Sequence, residues 1–155
     1  MLGPTRSTEM GYTFIEVTAV LLISSLIFLL VAPRFVHGLA DYQLQKSAEA
    51  LVWQLRHERQ AAIAEGTAHQ IEFFVFGNKY RLFQPTLRDV PLDAGIEYAY
   101  ISLPKDQFGR LTLIFNPLGT PNVGGTIALK NKYNQYRYVV VAPVIGRVRL
   151  SDTPP

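Results

Sequence analysis

The feature that most constrains this chain is an apolar run from Tyr12 to Ala32, which has 21 residues and one charge, Glu16. A helix of that length rises roughly 31 Å, enough to cross the hydrocarbon core of a bilayer. A carboxylate there costs about 2.5–3.5 kcal/mol at mid-membrane and less near an interface, so it usually has a partner. Because the run contains no basic residue, the partner of Glu16 must come from elsewhere. A free α-amino group made by cleavage is the nearest candidate.

Two simpler interpretations of the run are weaker. A secretory signal peptide has an apolar core of about 7–15 residues followed by a small-residue cleavage site. This run is longer and contains Glu16, and Pro33 makes Val31-Ala32 a poor cleavage site. An ordinary single-span anchor explains the length but gives Glu16 no role, and it predicts a chain that is never processed.

The start of the run resembles the class III signal of type IV pilins and pseudopilins. Gly11 precedes Tyr12, Glu16 follows four residues later, and Pro33 lies where many pilins carry a helix-kinking proline. The family usually has Phe where this chain has Tyr12. The resemblance implies that a prepilin peptidase cuts between Gly11 and Tyr12 and methylates the new N-terminus. It also implies that Glu16 neutralises the N-terminal amine of a neighbouring subunit during assembly.

The sequence divides into four predicted segments. Residues 1–11 form a polar prepilin leader, 12–33 a transmembrane or filament-core helix, 34–66 its amphipathic continuation, and 67–155 a β-rich globular domain. The part after the anchor is large enough for one domain. By resemblance, the protein is expected in the bacterial inner membrane as a single-pass subunit with its C-terminal domain outside the cytoplasm, before assembly into a pilus or pseudopilus.

Beyond Pro33 the apolar residues recur at helical spacings with charged residues between them, which predicts one helix from Tyr12 to Glu65 that packs its second half on a sheet. Gly66 is the predicted stop, and Trp53 is expected in the packed seam or at its edge. The apolar positions are Leu44, Ala48, Leu51, Val52, Leu55 and Ala62.

After Gly66 the pattern becomes typical of strands. Gly77-Asn78 suits a two-residue hairpin connection. Residues 87–95 are expected to form a loop because they contain Pro91. Residues 116–125 contain too many glycines and prolines for regular structure. One long helix followed by strands, without βαβ alternation, predicts an α+β fold with a mostly antiparallel sheet. The predicted strands are 69–76, 79–84, 96–103, 110–115, 126–130, 137–142 and 147–150.

Three C-terminal blocks, residues 115–119, 125–129 and 146–150, are similar to the GspH/FimT group of minor pseudopilins of type II secretion and minor pilins of type IV pili. Low-abundance members of that group prime fibre assembly and sit near the tip. The resemblance implies a structural subunit that primes or caps the fibre. The implied partners are other pilins or pseudopilins, the prepilin peptidase, the inner membrane and the assembly platform.

The alternative is a minor pilin that binds DNA for uptake. In some members of the group a Gly-Arg-x-Arg element contributes to DNA binding, and Gly146, Arg147 and Arg149 match it. Arginines at i and i+2 of a strand share a face that suits phosphate contacts. The simpler alternative is that these arginines form surface salt bridges or cap the sheet, while the nearby tyrosines face the core. The residues that extend the basic and aromatic region are Lys130, Lys132, Arg137, Tyr133, Tyr136 and Tyr138.

Catalysis finds no support in the sequence. The chain has no cysteine, and His37, His57 and His69 are too scattered to form a zinc-binding pair. His57-Glu58 is expected on a solvated face of the helix. We therefore predict a protein that is not an enzyme and has no cofactor or metal. Its net charge of +3 permits an anionic partner without requiring one.

Overall fold

The computed structural model describes residues 12–154, without the side chains of residues 30–35. The predicted leader, including Gly11, and the side chain of Pro33 lie outside that description. A long helix, α1 (Phe14–Glu65), comes first. The strands that follow it are β1 (His69–Phe74), β2 (Lys79–Leu82), β3 (Arg88–Pro91), β4 (Ile96–Ile101), β5 (Leu111–Phe115), β6 (Gly125–Asn131), β7 (Tyr136–Val141) and β8 (Val148–Ser151).

The strands form two antiparallel sheets, with orders β3-β2-β1-β5 and β4-β6-β7-β8. The predicted α+β class is confirmed. The prediction of a loop at residues 87–95 is wrong, because β3 lies there and pairs with β2. Pro91 is compatible with this strand because it is the last residue of an edge strand, where no ladder partner needs its missing N–H.

The hairpin between β1 and β2 is longer than predicted. Phe74 pairs with Lys79, so four residues, 75–78, make the connection in place of the expected two. Asn78 has a positive φ of 44°, and asparagine tolerates that left-handed conformation better than most residues. The Gly77-Asn78 signal therefore located the turn correctly and underestimated its length.

The second half of α1 packs as predicted. The six apolar positions from Leu44 to Ala62 are all buried in a core shared with both sheets. The helix ends at Glu65, and Gly66 follows with a φ of 65°, as expected of a left-handed C-terminal stop. The expectation for Trp53 is wrong: its side chain is 64% exposed and stacks on His57, with ring centroids 5.3 Å apart.

A buried polar cluster joins the end of α1 to β1. Glu58 is only 3% exposed, which contradicts the solvated face expected for it. Its Oε2 lies 2.8 Å from Nδ1 of the buried His69, and its Oε1 accepts a 2.7 Å hydrogen bond from Gln54 Nε2. His69 Nε2 lies 3.2 Å from a Glu65 carboxylate oxygen. Because a buried carboxylate is costly without partners, this cluster fixes where the helix ends against the sheet.

Two edge strands have their outward backbone groups occupied by other parts of the domain. On β5, Ile114 N donates to Asn122 Oδ1 at 2.8 Å, and Asn122 N donates to Ile114 O at 2.8 Å. On β8, Val148 O accepts from Arg56 Nε at 3.0 Å and from Arg56 Nη2 at 2.8 Å. A loop covers the first edge, and a helix side chain covers the second.

The other two edge strands are protected by different means. On β4, Tyr98 N donates to Asn78 Oδ1 at 3.3 Å. On β3, Pro91 lacks an N–H, and Asp89 lies 2.7 Å from Lys79 Nζ and 2.6 Å from Arg81 Nε. The Arg81 guanidinium, with Lys79 beside it, holds the pKa of Asp89 well below its usual range. Proline and charged side chains are familiar protections of a sheet edge.

The described chain divides between His37 and Gly38 into two compact units. Among the described residues, no helix combines the length and the apolar character needed to cross a membrane. The membrane span at residues 12–33 and the kink at Pro33 therefore stay predictions.

The buried hydroxyl of Tyr98 generates a stability prediction. Tyr98 is 5% exposed, its hydroxyl has no hydrogen-bond partner among the described residues, and burial raises its pKa. Tyr98→Phe removes that hydroxyl and keeps the ring, which packs nearly perpendicular to the ring of Phe73, with centroids 6.3 Å apart. We expect the free energy of unfolding to stay the same or rise by about 1 kcal/mol, because an unsatisfied polar group is lost. Denaturant unfolding of the full chain measures this.

Tyr98→Ala is the matched control, and it is expected to cost about 3–5 kcal/mol because it also removes the ring. A loss of more than about 1 kcal/mol in Tyr98→Phe would contradict an unsatisfied hydroxyl, since a satisfied one contributes about that much.

Candidate functional site

The first candidate site is the N-terminal segment of α1, whose apolar side chains are exposed on all sides. Tyr12 is 84% and Phe14 86% exposed. A helix that is apolar all round is normally covered by protein or lipid, and large exposed apolar patches mark interaction surfaces. The other exposed large apolar residues of this segment are Ile15, Val17, Val20, Leu21, Leu22, Ile23, Leu26, Ile27, Phe28 and Leu29.

Glu16 lies in the first turn of this helix. Its backbone N–H donates to Thr13 Oγ1 at 3.3 Å, so Thr13 caps the helix three residues before Glu16. This spacing is that of a capping box, and an acidic group in the first turn is favoured by the helix dipole. Glu16 thus has a local role that our sequence reasoning missed, although Thr13-x-x-Glu16 signals it. Its pairing with a neighbour's amine stays a prediction.

Arg137, one of the predicted DNA-binding residues, is engaged inside the domain. Its Nη2 lies 2.8 Å from Asp41 Oδ1, and its Nε lies 2.7 Å from Gln45 Oε1 and 3.1 Å from Asp152 Oδ1. It pairs with the buried Leu129 across the ladder, which puts it on the sheet face that packs against α1. The arrangement explains why its side chain is only 18% exposed.

The opposite face of the same sheet carries Lys130, Tyr136, Tyr138 and Arg149. Lys130 pairs with Tyr136, Tyr138 is two residues further along β7, and Arg149 pairs with the next residue on that face, Val140. The rings of Tyr136 and Tyr138 stack with centroids 6.3 Å apart and 11° between planes. Lys130 Nζ lies 3.6 Å from a carboxylate oxygen of Glu97 on β4. We call this surface the tyrosine face.

Tyr100 on β4 also belongs to the tyrosine face, and sequence reasoning missed it. Its ring centroid is 6.4 Å from that of Tyr138, and its side chain is 43% exposed. The signal available was the alternation along β4, which a β-bulge between Tyr98 and Tyr100 disrupts. Lys132 lies in the β6–β7 turn, with Nζ 5.1 Å from the Tyr133 ring centroid.

Arg147 and Arg149 are both exposed, and among the described residues neither forms an ion pair. The salt bridges offered as the simpler alternative are therefore not observed. Tyr138 is buried, but it lies on the tyrosine face, away from the core between sheet and helix.

The glycine before Arg147 is required by close packing. Gly146 has a φ of 64°, and a Cβ there would collide with Gly119 O and lie 2.9 Å from Arg59 Nε. Arg59 Nε in turn donates to Gly119 O at 2.9 Å. A Cβ on Gly119 would lie 2.5 Å from Ile63 Cδ1. The C-terminal blocks at residues 115–119 and 146–150 thus both contact the same turn of α1, through Gly119 and Gly146.

A groove of about 240 Å³ lies beside this contact. Three arginines line it, Arg56 and Arg59 from α1 and Arg147 from the position just before β8, and we call it the arginine groove. Sequence reasoning missed the two helix arginines, because nothing local connects positions 56 and 59 with position 147. The other lining residues are Gln60, Ile145, Gly146 and Val148.

In the part of the chain that the structure describes, no group of three or more His, Cys, Asp and Glu side chains is placed to hold a metal ion. The candidate sites described above are three surfaces: an exposed apolar helix, a tyrosine face with basic residues, and an arginine groove.

Comparison with known proteins identifies the family. Residues 47–144, more than half of the chain, match the family model described as type II transport protein GspH. The chain belongs to this GspH family. A search of curated proteins gave no significant match.

Two solved structures show the same fold. The type IV minor pilin FimU of Pseudomonas aeruginosa strain PAO1 is 20% identical, with a TM-score of 0.55 over 72% of this chain and 90% of that one. The minor pseudopilin EpsH from the type 2 secretion system of Vibrio cholerae is 15% identical, with a TM-score of 0.55 over 70% of this chain and 96% of that one. The chain thus has the fold of a minor pilin or pseudopilin, as its C-terminal blocks predicted.

The contact at Gly146 generates a prediction. Gly146→Ala adds a Cβ that collides with Gly119 O, in a left-handed conformation. We expect it to cost about 2–4 kcal/mol, from about 1–2 for the backbone conformation and the rest from overpacking. Gly66→Ala is the matched control: its φ of 65° is nearly the same, but no atom lies within 4 Å of the added Cβ. Thermal unfolding of both variants separates the cost of the left-handed backbone conformation from the cost of the collision. Equal losses of stability in the two variants would contradict the collision.

Proposed function

We propose that the chain is a minor pseudopilin or minor pilin, a structural subunit that primes or caps a type II secretion pseudopilus or a type IV pilus. The subunit enters the bacterial inner membrane as a single-pass protein with its C-terminal domain outside the cytoplasm. Prepilin peptidase cuts between Gly11 and Tyr12, and the assembly platform moves the processed subunit into the fibre.

The observation that carries this proposal is the exposed apolar helix on a GspH-type domain. Its first half offers apolar side chains on all sides and one charge, Glu16, from Tyr12 to Leu29. Such a surface needs lipid before assembly and other helices after it. The subunit leaves lipid for the filament core, and the globular domain stays outside.

The charge of Glu16 sets the register of this transfer. An amine on the neighbouring subunit pairs with Glu16 once both enter the apolar core. A wrong register leaves a charge buried without a partner, at a cost of about 3–5 kcal/mol. The pair therefore determines the register between neighbouring helices more than it stabilises the fibre.

The similar structures support both kinds of fibre. FimU is described as a type IV minor pilin, and EpsH as a minor pseudopilin of a type 2 secretion system. The match to the type II transport family GspH favours the secretion fibre.

Three variants of the full chain test the role of Glu16, in cells that contain a prepilin peptidase and the fibre components. Glu16→Gln removes the charge and keeps a capping-box residue, whereas Thr13→Ala removes the Thr13 cap and keeps the charge. We expect Glu16→Gln and Glu16→Ala to lower incorporation into the fibre at least tenfold and Thr13→Ala to lower it less than twofold. Fibre fractions are measured by immunoblot against the membrane fraction.

Intact mass and N-terminal sequencing of the same samples test processing. An N-terminus at Tyr12 with one added methyl is expected for all variants. An uncut chain starting at Met1 would contradict the proposed function and favour a plain membrane anchor. Normal incorporation of Glu16→Gln in a processed chain would contradict charge pairing alone.

DNA binding is a second candidate function, favoured by the tyrosine face. Arg149 is exposed and has no ion-pair partner among the described residues, and Tyr136 lies on the same face as a stacking surface for a base. Two or three phosphate contacts give only weak, salt-sensitive affinity.

Binding of the full chain to a single-stranded oligonucleotide tests this function. We expect Arg149→Ala to reduce the slope of log affinity against log salt by about 0.7, because one phosphate contact is lost. Arg88→Ala, which removes an exposed arginine from β3 in the other sheet, serves as the control and should leave the slope unchanged. Equal slopes for both variants and the parent chain would contradict the tyrosine face as the DNA site.

A further inference from the structure

The arginine groove holds positive charge in a fixed geometry. Arg56 gives Nε and Nη2 to Val148 O, and Arg59 gives Nε to Gly119 O. Both guanidinium groups are thus oriented by backbone carbonyls, one on β8 and one in the loop that follows β5. A guanidinium group has five N–H donors, so each arginine keeps donors that the domain does not use.

No carboxylate lines the groove among the described residues. Arg56, Arg59 and Arg147 also form no ion pair there. Glu58, between the two helix arginines in sequence, is buried on the other side of α1 with His69. Three guanidinium groups with free donors are suited to an anion, and a planar carboxylate can accept two parallel hydrogen bonds from one of them.

The rest of the lining favours a protein as the source of that anion. Ile145, 60% exposed, and Val148 give the groove an aliphatic side, and Val144 beside Ile145 is 76% exposed. None of the described residues that line it is aromatic, whereas sites for single-stranded nucleic acid combine positive charge with aromatic rings for stacking. Arginine is enriched at protein interfaces.

We infer that the arginine groove binds an Asp or Glu side chain next to an aliphatic residue on a neighbouring pilin-type subunit. Arg56, Arg59 and Arg147 bind the carboxylate, and Ile145 packs against the aliphatic neighbour. This inference rests on the proposed function, because the fibre supplies the neighbouring subunit. It adds a contact between globular domains to the helix contacts already proposed.

Site-specific photo-crosslinking of the full chain in fibre-forming cells tests the inference. A photoreactive amino acid replaces Ile145, and mass spectrometry maps the crosslinked peptide. We expect the crosslink to reach a pilin-type subunit, at a segment with an Asp or Glu within a few residues. Arg147→Glu should reduce the crosslinked product about tenfold, because like charges oppose each other at the contact.

Two further variants make the test specific. Arg88→Glu makes the same charge reversal on β3, which does not line the groove. It should leave the amount of crosslinked product within about twofold of the parent chain. Lys in place of the mapped acidic residue should reduce the product, and the double variant with Arg147→Glu should restore it, because the two charges are then exchanged.

A second photoreactive site at Ile23 separates failure of this inference from failure of the proposed function. Ile23 lies on the exposed apolar helix. Two outcomes would overturn the inference without contradicting the proposed function. In the first, crosslinks form from Ile23 but none form from Ile145. In the second, Ile145 crosslinks to nucleic acid. A stable chain that crosslinks to no subunit from either site would overturn the proposed function and the inference with it.

Discussion

The apolar stripe on the second half of α1 is the contact on which the domain depends. Leu44, Leu51 and Leu55 are fully or almost fully buried, in one core with Ile71 of the first sheet and Val139 of the second. Each such leucine contributes about 1.5–3 kcal/mol by burial. Because both sheets meet this helix, its stripe is what makes two four-stranded sheets into one domain. The groove, the buried cluster and the covered edge of β8 all follow from where the helix lies.

Polar contacts then fix what apolar packing leaves free. Burial is not directional, so a helix could slide or rotate slightly on the sheets at little cost. Arg137 with Asp41, Arg56 with Val148 O, and Glu58 with His69 hold three different levels of the helix. These side chains specify one helix position in the same way that the close approach at Gly146 specifies one loop position.

Much of the fold could be predicted because periodicity reports local structure. The helix stripe, the Gly66 stop and most strands follow from spacing alone. β3 was missed because proline usually interrupts a strand. Pro91 is tolerated here because it is the last residue of an edge strand. Glu58 was misassigned because its partner, His69, lies beyond the helix. The ion pair of Arg137 was missed because Asp41 is far away in sequence. The arginine groove was missed for the same reason, because its residues are brought together only by the tertiary fold.

The protection of all four sheet edges has a consequence for how this domain can meet other chains. An open edge strand is a template on which identical chains add without limit. Here Asn122, Arg56 and Asn78 occupy backbone groups of three edges, and Pro91 with its charged neighbours protects the fourth. Growth by strand addition, the route to amyloid, is thereby blocked in the globular domain. Contacts with a neighbouring chain are therefore left to side chains, and such contacts can form and break without changing either sheet.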